Sequence, residues 1–228
     1  MTVFAKALAT ARVPVIGEIK LKSSAGVPLL GDRSVEEVLD AYRDSGIGCV
    51  SVVTGRWFGG TADLLPRVAE HTGLPVLQKD FLTRKSQLRA AADQGASAVL
   101  LTAGLLPADV LNRLAESALA LGLTPFVEVV DEREVAALRF PEECVVAVNN
   151  KDIANRERDP GDLDRSVRLL AALQAVRAGC AVSASGITSP AAGARLIAAG
   201  YTGLLVGTGL LTAASPGAWL AELGRCLR

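Results

Sequence analysis

Charged side chains follow several short apolar runs of this sequence, at the points where the runs end. The first of note is Lys79. It lies where the apolar part of the stretch Pro75 to Phe81, with the letters PVLQKDF, gives way to charge. A lysine at the end of an apolar run is costly to desolvate unless it has a partner or a task, and its pKa moves readily when it is partly buried. Lys79 is therefore the first candidate for acid–base chemistry, although an isolated lysine here is more often the start of a solvated loop.

Five other polar residues lie at or near the ends of apolar runs in the same way. Glu18 and Lys20 close the first run, Glu128 lies near the end of another, and Asn149 and Lys151 follow a further one. Residues two apart in a strand point to the same side, so Glu18 and Lys20 would face one site together. Each residue alone could form a structural ion pair. As a set of opposite charges that can tune each other's pKa, they predict an acid–base site.

The elements that must position these residues are short apolar runs alternating with stretches of helical spacing. The predicted strands are Val13 to Ile19, Cys49 to Val53, Pro75 to Leu77, Ala98 to Leu101, Pro125 to Val129, Cys144 to Val148, Ala181 to Ser183 and Gly203 to Val206. The predicted helices include Ser34 to Asp44, Lys85 to Gln94, Ala108 to Leu121, Leu163 to Ala175 and Pro190 to Ala198. Near-continuous apolar strands alternating with helices indicate a parallel sheet covered by helices.

Eight such units in 228 residues predict a single (β/α)8 barrel, a TIM barrel, occupying residues 1–228 as one domain. An open doubly wound sheet is the main structural rival. Its dinucleotide-binding form needs G-x-G-x-x-G after the first strand, whereas residues 20–26 read KLKSSAG. In a barrel the active site lies at the carboxyl ends of the strands, where Lys79 and the other polar residues are expected.

Helix ends are marked by capping residues. The pair Ser34 and Glu37 predicts a capping box, and Asp162 and Ser189 are predicted N-caps. Glycines stand where three helices should stop, at positions 95, 122 and 200. These signals agree with the helix boundaries that the apolar spacing predicts.

The last two strands end in small residues, with SASGIT at 183–188 and VGTG at 206–209. Small residues let backbone N–H groups approach an anion, and TIM barrels often bind a phosphate between the loops after strands seven and eight. The pattern favours a phosphorylated small-molecule substrate. Glycines that serve only as turns are an equally weighted alternative.

Composition excludes several classes of partner. The chain has 24 Lys and Arg against 24 Asp and Glu, so it lacks the basic excess typical of nucleic-acid binding. No apolar run is long enough for a membrane span, and the start has no signal-peptide pattern, which favours a cytoplasmic location. The cysteines are widely spaced and are expected to be buried free thiols rather than a metal site; they are Cys49, Cys144, Cys180 and Cys226.

Seven short stretches, in order, carry a resemblance to a known family. They are EIK (18–20), SVVTGRWFGG (51–60), LQKDF (77–81), VEV (127–129), VNNK (148–151), SGI (185–187) and VGT (206–208). Together they resemble the indole-3-glycerol phosphate synthases of tryptophan biosynthesis, over almost the whole chain. The resemblance implies a TIM-barrel carboxy-lyase that acts on 1-(2-carboxyphenylamino)-1-deoxyribulose 5-phosphate. It also implies loss of carbon dioxide and water, and no metal or organic cofactor.

The resemblance assigns roles to the residues at the strand ends. Lys79 matches the general acid that protonates the ribulose C2 oxygen, and Glu128 matches a carboxylate that moves protons in the later steps. Glu18 and Lys20 match a pair that orients these groups. Asn149 matches a residue that positions the substrate hydroxyls or carboxylate.

Binding residues are assigned in the same way. Phe58 and Phe81 match aromatic walls around the anthranilate ring, although either could be ordinary core. The residues that match the phosphate site are Ser23, Lys151, Ser185, Gly186, Gly207 and Thr208. Lys151 stands where the family often has arginine, which predicts charge pairing without a bidentate contact.

The sequence departs from the family pattern in three places. Ala184 replaces a glutamate before the Ser-Gly of strand seven, Ser23-Ser24-Ala25 replaces Ser-Pro-Ser, and the sequence begins close to strand one, where the family carries a helix over the barrel mouth. Two alternatives therefore stay open, a relative acting on another arylamino sugar phosphate and a non-catalytic phosphate-binding barrel. Other tryptophan-pathway or biosynthetic-cluster enzymes are possible partners.

Three further residues fall outside this assignment. His71 is expected at a helix end in a surface or capping role, and Trp219 in the core of the last helical stretch. Trp57 is ambiguous and could line the mouth of the pocket.

Overall fold

The computed structural model describes residues 1–152 and 161–227. Eight parallel strands pair in chain order, and β8 pairs with β1 to close the barrel. The strands are β1 (Val13–Ile19), β2 (Ile47–Val53), β3 (Val76–Lys79), β4 (Ala98–Thr102), β5 (Thr124–Val129), β6 (Val145–Asn149), β7 (Cys180–Ala184) and β8 (Gly203–Val206). The predicted TIM barrel and the order of its strands are confirmed.

Helices cover the outside of the sheet. The described residues form α1 (Val3–Thr10), α2 (Val35–Asp44), α3 (Leu64–Thr72), α4 (Lys85–Asp93), α5 (Ala108–Ala120), α6 (Glu132–Ala136), α7 (Leu163–Ala175), α8 (Pro190–Ala199), α9 (Thr208–Leu211) and α10 (Pro216–Cys226). The five helices that the spacing delimits agree with the structure to within a residue at each end. The sequence analysis gave no bounds for α3, which carries Pro66 in its first turn. Proline is tolerated there because the first N–H groups of a helix have no intrahelical partner.

The predicted caps are also present. The hydroxyl of Ser34 accepts from the backbone N–H of Glu37, at 3.1 Å, while the Glu37 carboxylate accepts from the Ser34 N–H, at 2.7 Å. The side chains of Asp162 and Ser189 accept from backbone N–H groups of α7 and α8. The predicted stop glycines, at 95, 122 and 200, have positive φ angles, as a left-handed C-terminal turn requires.

Helix α1, which the sequence analysis did not delimit, closes the end of the barrel opposite the carboxyl ends of the strands. Phe4, Ala5 and Leu8 are buried with the side chains that fill the barrel. The ring of Phe4 meets Phe126 edge to face, with 6.4 Å between centroids. This packing fills the amino-terminal end of the barrel, so the open end is at the carboxyl ends of the strands.

Alternate residues of each strand face opposite sides, and the two sets are buried in separate clusters. The inward set includes Ile16, Cys49, Leu77, Leu100, Phe126, Ala147, Val182 and Leu205. The outward set packs beneath the helices and includes Ile19, Val50, Val76, Leu101, Val127 and Val148. Continuing the inward alternation to the strand ends brings eight residues to the barrel mouth. They are Glu18, Ser51, Lys79, Thr102, Glu128, Asn149, Ala184 and Gly207.

Burial tests the expectations for the cysteines and for Trp219. Cys49, Cys144 and Cys180 are buried free thiols as predicted, but Cys226 is exposed, and that part of the prediction is wrong. Cys226 lies in the last turn of α10, beyond Leu223, the last buried residue of that helix. Trp219 is buried, as expected. Among the described residues, no helix has the length and apolar character needed to cross a bilayer.

His71 lies in the last turn of α3, and its Nε2 is 2.9 Å from Oδ1 of Asp40 on α2. This is the surface role that the sequence analysis expected. The pair joins two neighbouring helices on the outside of the barrel, away from the mouth.

Candidate active site

A cluster of two lysines and two carboxylates occupies the barrel mouth. Nζ of Lys79 lies 3.7 Å from Oε2 of Glu18 and 3.5 Å from Oε1 of Glu128. Nζ of Lys20 lies 3.4 Å from the other oxygen of Glu18. All four residues are at least nine-tenths buried, so these charges interact with little screening by solvent. The tertiary structure thus brings together the four charged residues to which the sequence analysis gave catalytic roles.

The position of Lys79 suits proton transfer to a substrate. Its distances to Glu18 and Glu128 both exceed the 2.7–2.9 Å typical of a charge-assisted hydrogen bond. The ammonium group is therefore shared between two carboxylates and held tightly by neither.

Asn149 is the fifth member of the predicted catalytic set, and it lies beside Glu128. Its Nδ2 donates to Oε2 of Glu128 at 3.3 Å, and its Oδ1 accepts from the backbone N–H of Lys151 at 3.0 Å. The Asn149 carbonyl accepts from the guanidinium of Arg165 on α7 at 2.6 Å. Asn149 consequently orients one carboxylate oxygen and ties the end of β6 to the loop that carries Lys151.

Phe58 connects the charged cluster to the loop after β1. The ammonium of Lys20 lies over the Phe58 ring, 5.2 Å from its centroid, in a cation–π geometry. The carbonyl of Phe58 accepts from the N–H of Lys22 at 2.9 Å. Phe58 belongs to a short 3-10 turn, Arg56–Phe58, that follows β2. The ends of β1 and β2 are thereby held in a fixed relation.

An apolar cavity of about 250 Å³ opens on one side of Lys79. Its lining residues are Val53, Gly55, Trp57, Phe58, Lys79, Asp80, Phe81, Leu100, Leu105 and Glu128. The predicted aromatic walls, Phe58 and Phe81, both line it. Trp57, which was ambiguous in the sequence, also lines it and is exposed at the rim together with Leu105. A planar aromatic group of a substrate would fit between these walls, next to the lysine.

A second cavity, of about 110 Å³, lies towards β7 and β8. Its lining residues are Glu18, Lys20, Lys151, Ser185, Gly186, Ile187, Thr188, Leu205, Gly207, Thr208 and Gly209. Five of the six residues assigned to a phosphate site are among them. The sixth, Ser23, is not in this lining, and its hydroxyl accepts from the N–H groups of Ala25 and Val27 in its own turn. The positive charges of Lys20 and Lys151 in this lining suit an anion.

The loop after β7 is held in a strained conformation. Ser185 has a φ of 67°, a region that L-residues rarely adopt, and Gly186 follows with a φ of 74°. Nδ2 of the buried Asn150 lies within hydrogen-bond distance of the carbonyls of Ala184 and Ser185, at 3.0 and 3.1 Å. Oδ1 of Asn150 accepts from the hydroxyl of Ser166 on α7 at 2.8 Å. Asn150 therefore shapes one wall of the second cavity, a role that the sequence analysis did not assign.

Asp80 fixes the end of β3, and it too was missed. Its carboxylate accepts from the Thr54 hydroxyl at 2.9 Å and from the backbone N–H of Phe81 at 2.8 Å. The carbonyl of Lys79 accepts from the Thr54 N–H at 3.2 Å. Its place in the run LQKDF was the only signal in the sequence. Through these contacts Asp80 holds the end of β3 and Phe81 in position.

The part of the chain that the structure describes contains no group of three or more His, Cys, Asp or Glu residues placed to hold a metal ion. The lysine ammonium groups in the cluster also occupy the space beside the carboxylates.

The fold and the site define a TIM barrel whose mouth holds a cluster of two lysines and two carboxylates between an apolar cavity and a second cavity lined by two lysines. The chain belongs to the indole-3-glycerol phosphate synthase family, whose sequence profile matches residues 2–223. The indole-3-glycerol phosphate synthase of Rhodopirellula baltica is 34% identical over 204 residues, which are 89% of this chain and 77% of the relative. Indole-3-glycerol phosphate synthase 2 of Ralstonia nicotianae is 35% identical over 203 residues, which are 88% of this chain and 74% of the relative.

Solved structures agree on the fold. The crystal structure of 3-hexulose-6-phosphate synthase from Salmonella typhimurium superposes with a TM-score of 0.72 at 15% sequence identity. The superposition covers 93% of this chain and 97% of that one. At this level of identity the likeness concerns the barrel alone.

Proposed function

We propose that this protein is an indole-3-glycerol phosphate synthase. It would convert 1-(2-carboxyphenylamino)-1-deoxyribulose 5-phosphate into indole-3-glycerol phosphate, with loss of carbon dioxide and water and without a metal or organic cofactor. The observation that carries the proposal is the position of Lys79, between Glu18 and Glu128 and at the edge of the apolar cavity. Family membership supports the same reaction.

The two cavities match the two ends of this substrate. The carboxyphenyl ring would lie between Phe58 and Phe81, and the phosphate would lie near Lys20 and Lys151. Glu18 and Lys20, at the boundary of the second cavity, and Lys79, at the boundary of the first, contact one another. A substrate spanning both cavities would therefore bring its ribulose C2 carbonyl to the charged cluster.

The first chemical step forms the new ring. The ring carbon that bears the carboxylate attacks C2, and the carbonyl oxygen takes a proton from the Lys79 ammonium group. A preorganised cation in a site with little water stabilises the charge that develops on this oxygen. Loss of carbon dioxide breaks the bond to the carboxyl group, and its electron pair restores the aromatic ring.

The second step removes water. The hydroxyl group on the former C2 leaves with a proton, and a proton is lost from the former C1, which completes the pyrrole. Glu128 is the group that we assign to the C1 proton, because its carboxylate is buried and oriented by Asn149. We assign Lys20 to protonation of the leaving hydroxyl, and its pairing with Glu18 and its place in the lining of the second cavity support this assignment.

The test is a fluorescence assay of indole formation from the purified substrate. Lys79→Met should reduce turnover about 1000-fold or more, as expected when a principal electrostatic group is removed. Lys6→Met is the matched control, since Lys6 is exposed on α1 at the opposite end of the barrel. A wild-type protein that binds the substrate but produces no indole would contradict the proposal.

The same assay separates the alternatives. Ala184 is a buried inward residue at the mouth, where the family resemblance implies a glutamate. If wild type turns over the substrate, Ala184→Glu measures how the added carboxylate changes the rate. If only Ala184→Glu is active, a different arylamino sugar phosphate becomes the substrate to seek. If both bind without turnover, a phosphate-binding barrel is favoured.

The proposed reaction also suggests a setting for the protein. Its substrate and product are small phosphorylated molecules in solution, which supports a cytoplasmic location. Other enzymes of tryptophan biosynthesis or of a biosynthetic cluster would supply the substrate and use the product. We therefore propose such enzymes as functional partners. We also propose that the residues of the barrel form one catalytic domain.

A further inference from the structure

Two buried hydroxyl groups without an assigned role belong to residues that pair with the carboxylates of the charged cluster. Ser51 and Thr102 end up at inward positions on β2 and β4, the strands on either side of the one that carries Lys79. They are 0% and 5% exposed. Among residues 1–152 and 161–227, neither hydroxyl oxygen has a hydrogen-bond partner. A buried polar group in this state costs free energy, so its presence calls for an explanation.

Strand register places each hydroxyl beside a carboxylate. Ser51 is the pairing partner of Glu18 between β1 and β2, and Thr102 is the pairing partner of Glu128 between β4 and β5. Adjacent strands lie about 4.8 Å apart, and paired residues point to the same face of a sheet. The arrangement therefore occurs twice, with one buried hydroxyl next to each of the two carboxylates that share Lys79.

The counter-charge next to the two carboxylates changes during the proposed reaction. Before the reaction the Lys79 ammonium lies 3.7 Å from Glu18 and 3.5 Å from Glu128. When that ammonium turns to a substrate oxygen, both buried carboxylates lose part of their stabilisation. A buried anion requires hydrogen-bond donors or a counter-charge, and a hydroxyl can rotate to supply a donor without moving the backbone.

We propose that Ser51 and Thr102 are positioning residues whose hydroxyls donate hydrogen bonds to Glu18 and Glu128 when Lys79 turns to the substrate. They keep the carboxylates hydrogen-bonded and in place during the step that Lys79 drives. The catalytic part of this inference rests on the proposed function, whereas the hydrogen-bond exchange itself does not.

The kinetic test compares substitutions of two threonines. Thr102→Val keeps the size of the side chain and removes the hydroxyl, and it should lower kcat about tenfold with little change in KM. Thr102→Ser, which restores a hydroxyl, should recover most of the rate. Thr124→Val is the matched control, because Thr124 is buried without a hydroxyl partner at the opposite end of β5. Equal losses in the two valine variants would overturn the proposal.

A pH profile gives a readout that a purely structural role would not change. Hydrogen bonding to a carboxylate favours its charged form, so removing the donor raises the carboxyl pKa. Lys79 on β3 lies 3.5 Å from Glu128, and it also lies 3.7 Å from Glu18 on β1, which pairs with Lys20. The acidic limb of kcat/KM should move to higher pH in Thr102→Val and stay in place in Thr124→Val.

A second measurement needs no turnover. Carbon-13 NMR of the glutamate carboxyl groups, with the Glu128 signal assigned by Glu128→Gln, follows that carboxyl directly. In a Lys79→Met background, which mimics withdrawal of the ammonium, Thr102→Val should shift the Glu128 titration to higher pH by more than it does when Lys79 is present. Lys79→Gln provides a second background with a different side chain.

The outcomes separate the two ideas. If wild type is inactive but the NMR coupling between positions 79 and 102 is present, the proposed function fails and the hydrogen-bond exchange stands. If wild type is active and the coupling is absent in both backgrounds, the exchange fails and the proposed function stands. A Thr102→Val effect no larger than that of Thr124→Val would likewise exclude the exchange.

Discussion

The carboxylate of Glu18 lies directly against Gly207, across the pairing of β1 with β8. A methyl group added at Gly207 would collide with Oε1 of Glu18. The glycine is thus needed for space. It allows the carboxylate to sit between Lys20 and Lys79 while the loop after β8 closes the second cavity.

Gly207→Ala should therefore displace the Glu18 carboxylate. We expect a loss of about 1–3 kcal/mol in the free energy of unfolding, as for other overpacked sites, and a rate about 100-fold lower. Gly224→Ala in α10 is the control, because nothing lies within 4 Å of the added methyl group. It should raise the free energy of unfolding by up to about 1 kcal/mol. Urea unfolding and the indole assay measure both, and a fully active Gly207→Ala would contradict the steric argument.

Glu18→Gln should show how much the cluster depends on the charge of Glu18 rather than on the size of its side chain. The substitution keeps the size of the side chain but leaves the buried Lys20 and Lys79 facing a single carboxylate, Glu128. Breaking a buried ion pair in this way costs about 3–5 kcal/mol, and we expect turnover to fall about 100-fold. Thermal unfolding and steady-state kinetics report the two effects. Glu70→Gln, at an exposed position of α3, should change neither.

Asn150→Ala should weaken binding of the phosphorylated end of the substrate. The side chain lies within hydrogen-bond distance of Ser183, Ala184 and Ser185 and accepts from Ser166, so its loss frees the strained loop after β7. We expect KM to rise about tenfold, with a smaller change in kcat and a loss of about 2–3 kcal/mol in stability.

Asn112→Ala provides the comparison for that effect. Asn112 is also buried and bonds three backbone groups, those of Ala108, Ala137 and Arg139, but it lies outside the cavity. It should lose similar stability without a change in KM. An equal rise of KM in both variants would show that Asn150 acts only through general stability.

The pair of Arg67 and Glu36 gives a prediction on pH dependence. Arg67 donates two hydrogen bonds to the Glu36 carboxylate, linking α3 to α2, and this lowers the pKa of Glu36 to about 2. Because the folded pKa is below its usual value of 4.5, the pair stabilises the protein above that pH, and the contribution is lost as the pH falls from 4.5 to about 2.

Arg67→Gln should therefore cost up to about 1 kcal/mol at pH 7, since the pair is partly exposed and solvent screens it. The difference from wild type should shrink as the pH approaches 2. Urea unfolding at low ionic strength, repeated along the pH scale, measures it. Arg89→Gln, at an exposed position of α4, is the control and should show no such trend. A difference that stays constant with pH would contradict the assignment.

Much of the site was predictable because it depends on local pattern. The apolar runs, their spacing and the charged residues at their ends indicated a barrel with Lys79, Glu18 and Glu128 at its mouth, and the structure places them there. Period-two alternation determines the direction of each side chain within its own strand. The same rule separates Asn149, which faces inward to Glu128, from Asn150, which faces outward to α7.

Other parts of the site depended on contacts that no local pattern contains. Ser51 and Thr102 read as ordinary residues of apolar strands, and only the register between strands places them beside Glu18 and Glu128. Ser23 matches a phosphate residue by motif, yet its hydroxyl is engaged in its own turn. Burial of Cys226 was expected from its apolar surroundings, but the helix end leaves it exposed.

The sequence by itself determined the order of the elements and the face to which each strand-end residue belongs, because both follow from the spacing of neighbours along the chain. The tertiary structure alone decided which inward residues meet. Closure of the barrel and the tilt of its strands set the 3.5 Å from Lys79 to Glu128 and the contact of Glu18 with Gly207. Those distances join residues far apart in the chain, so they arise only when all eight strands are paired.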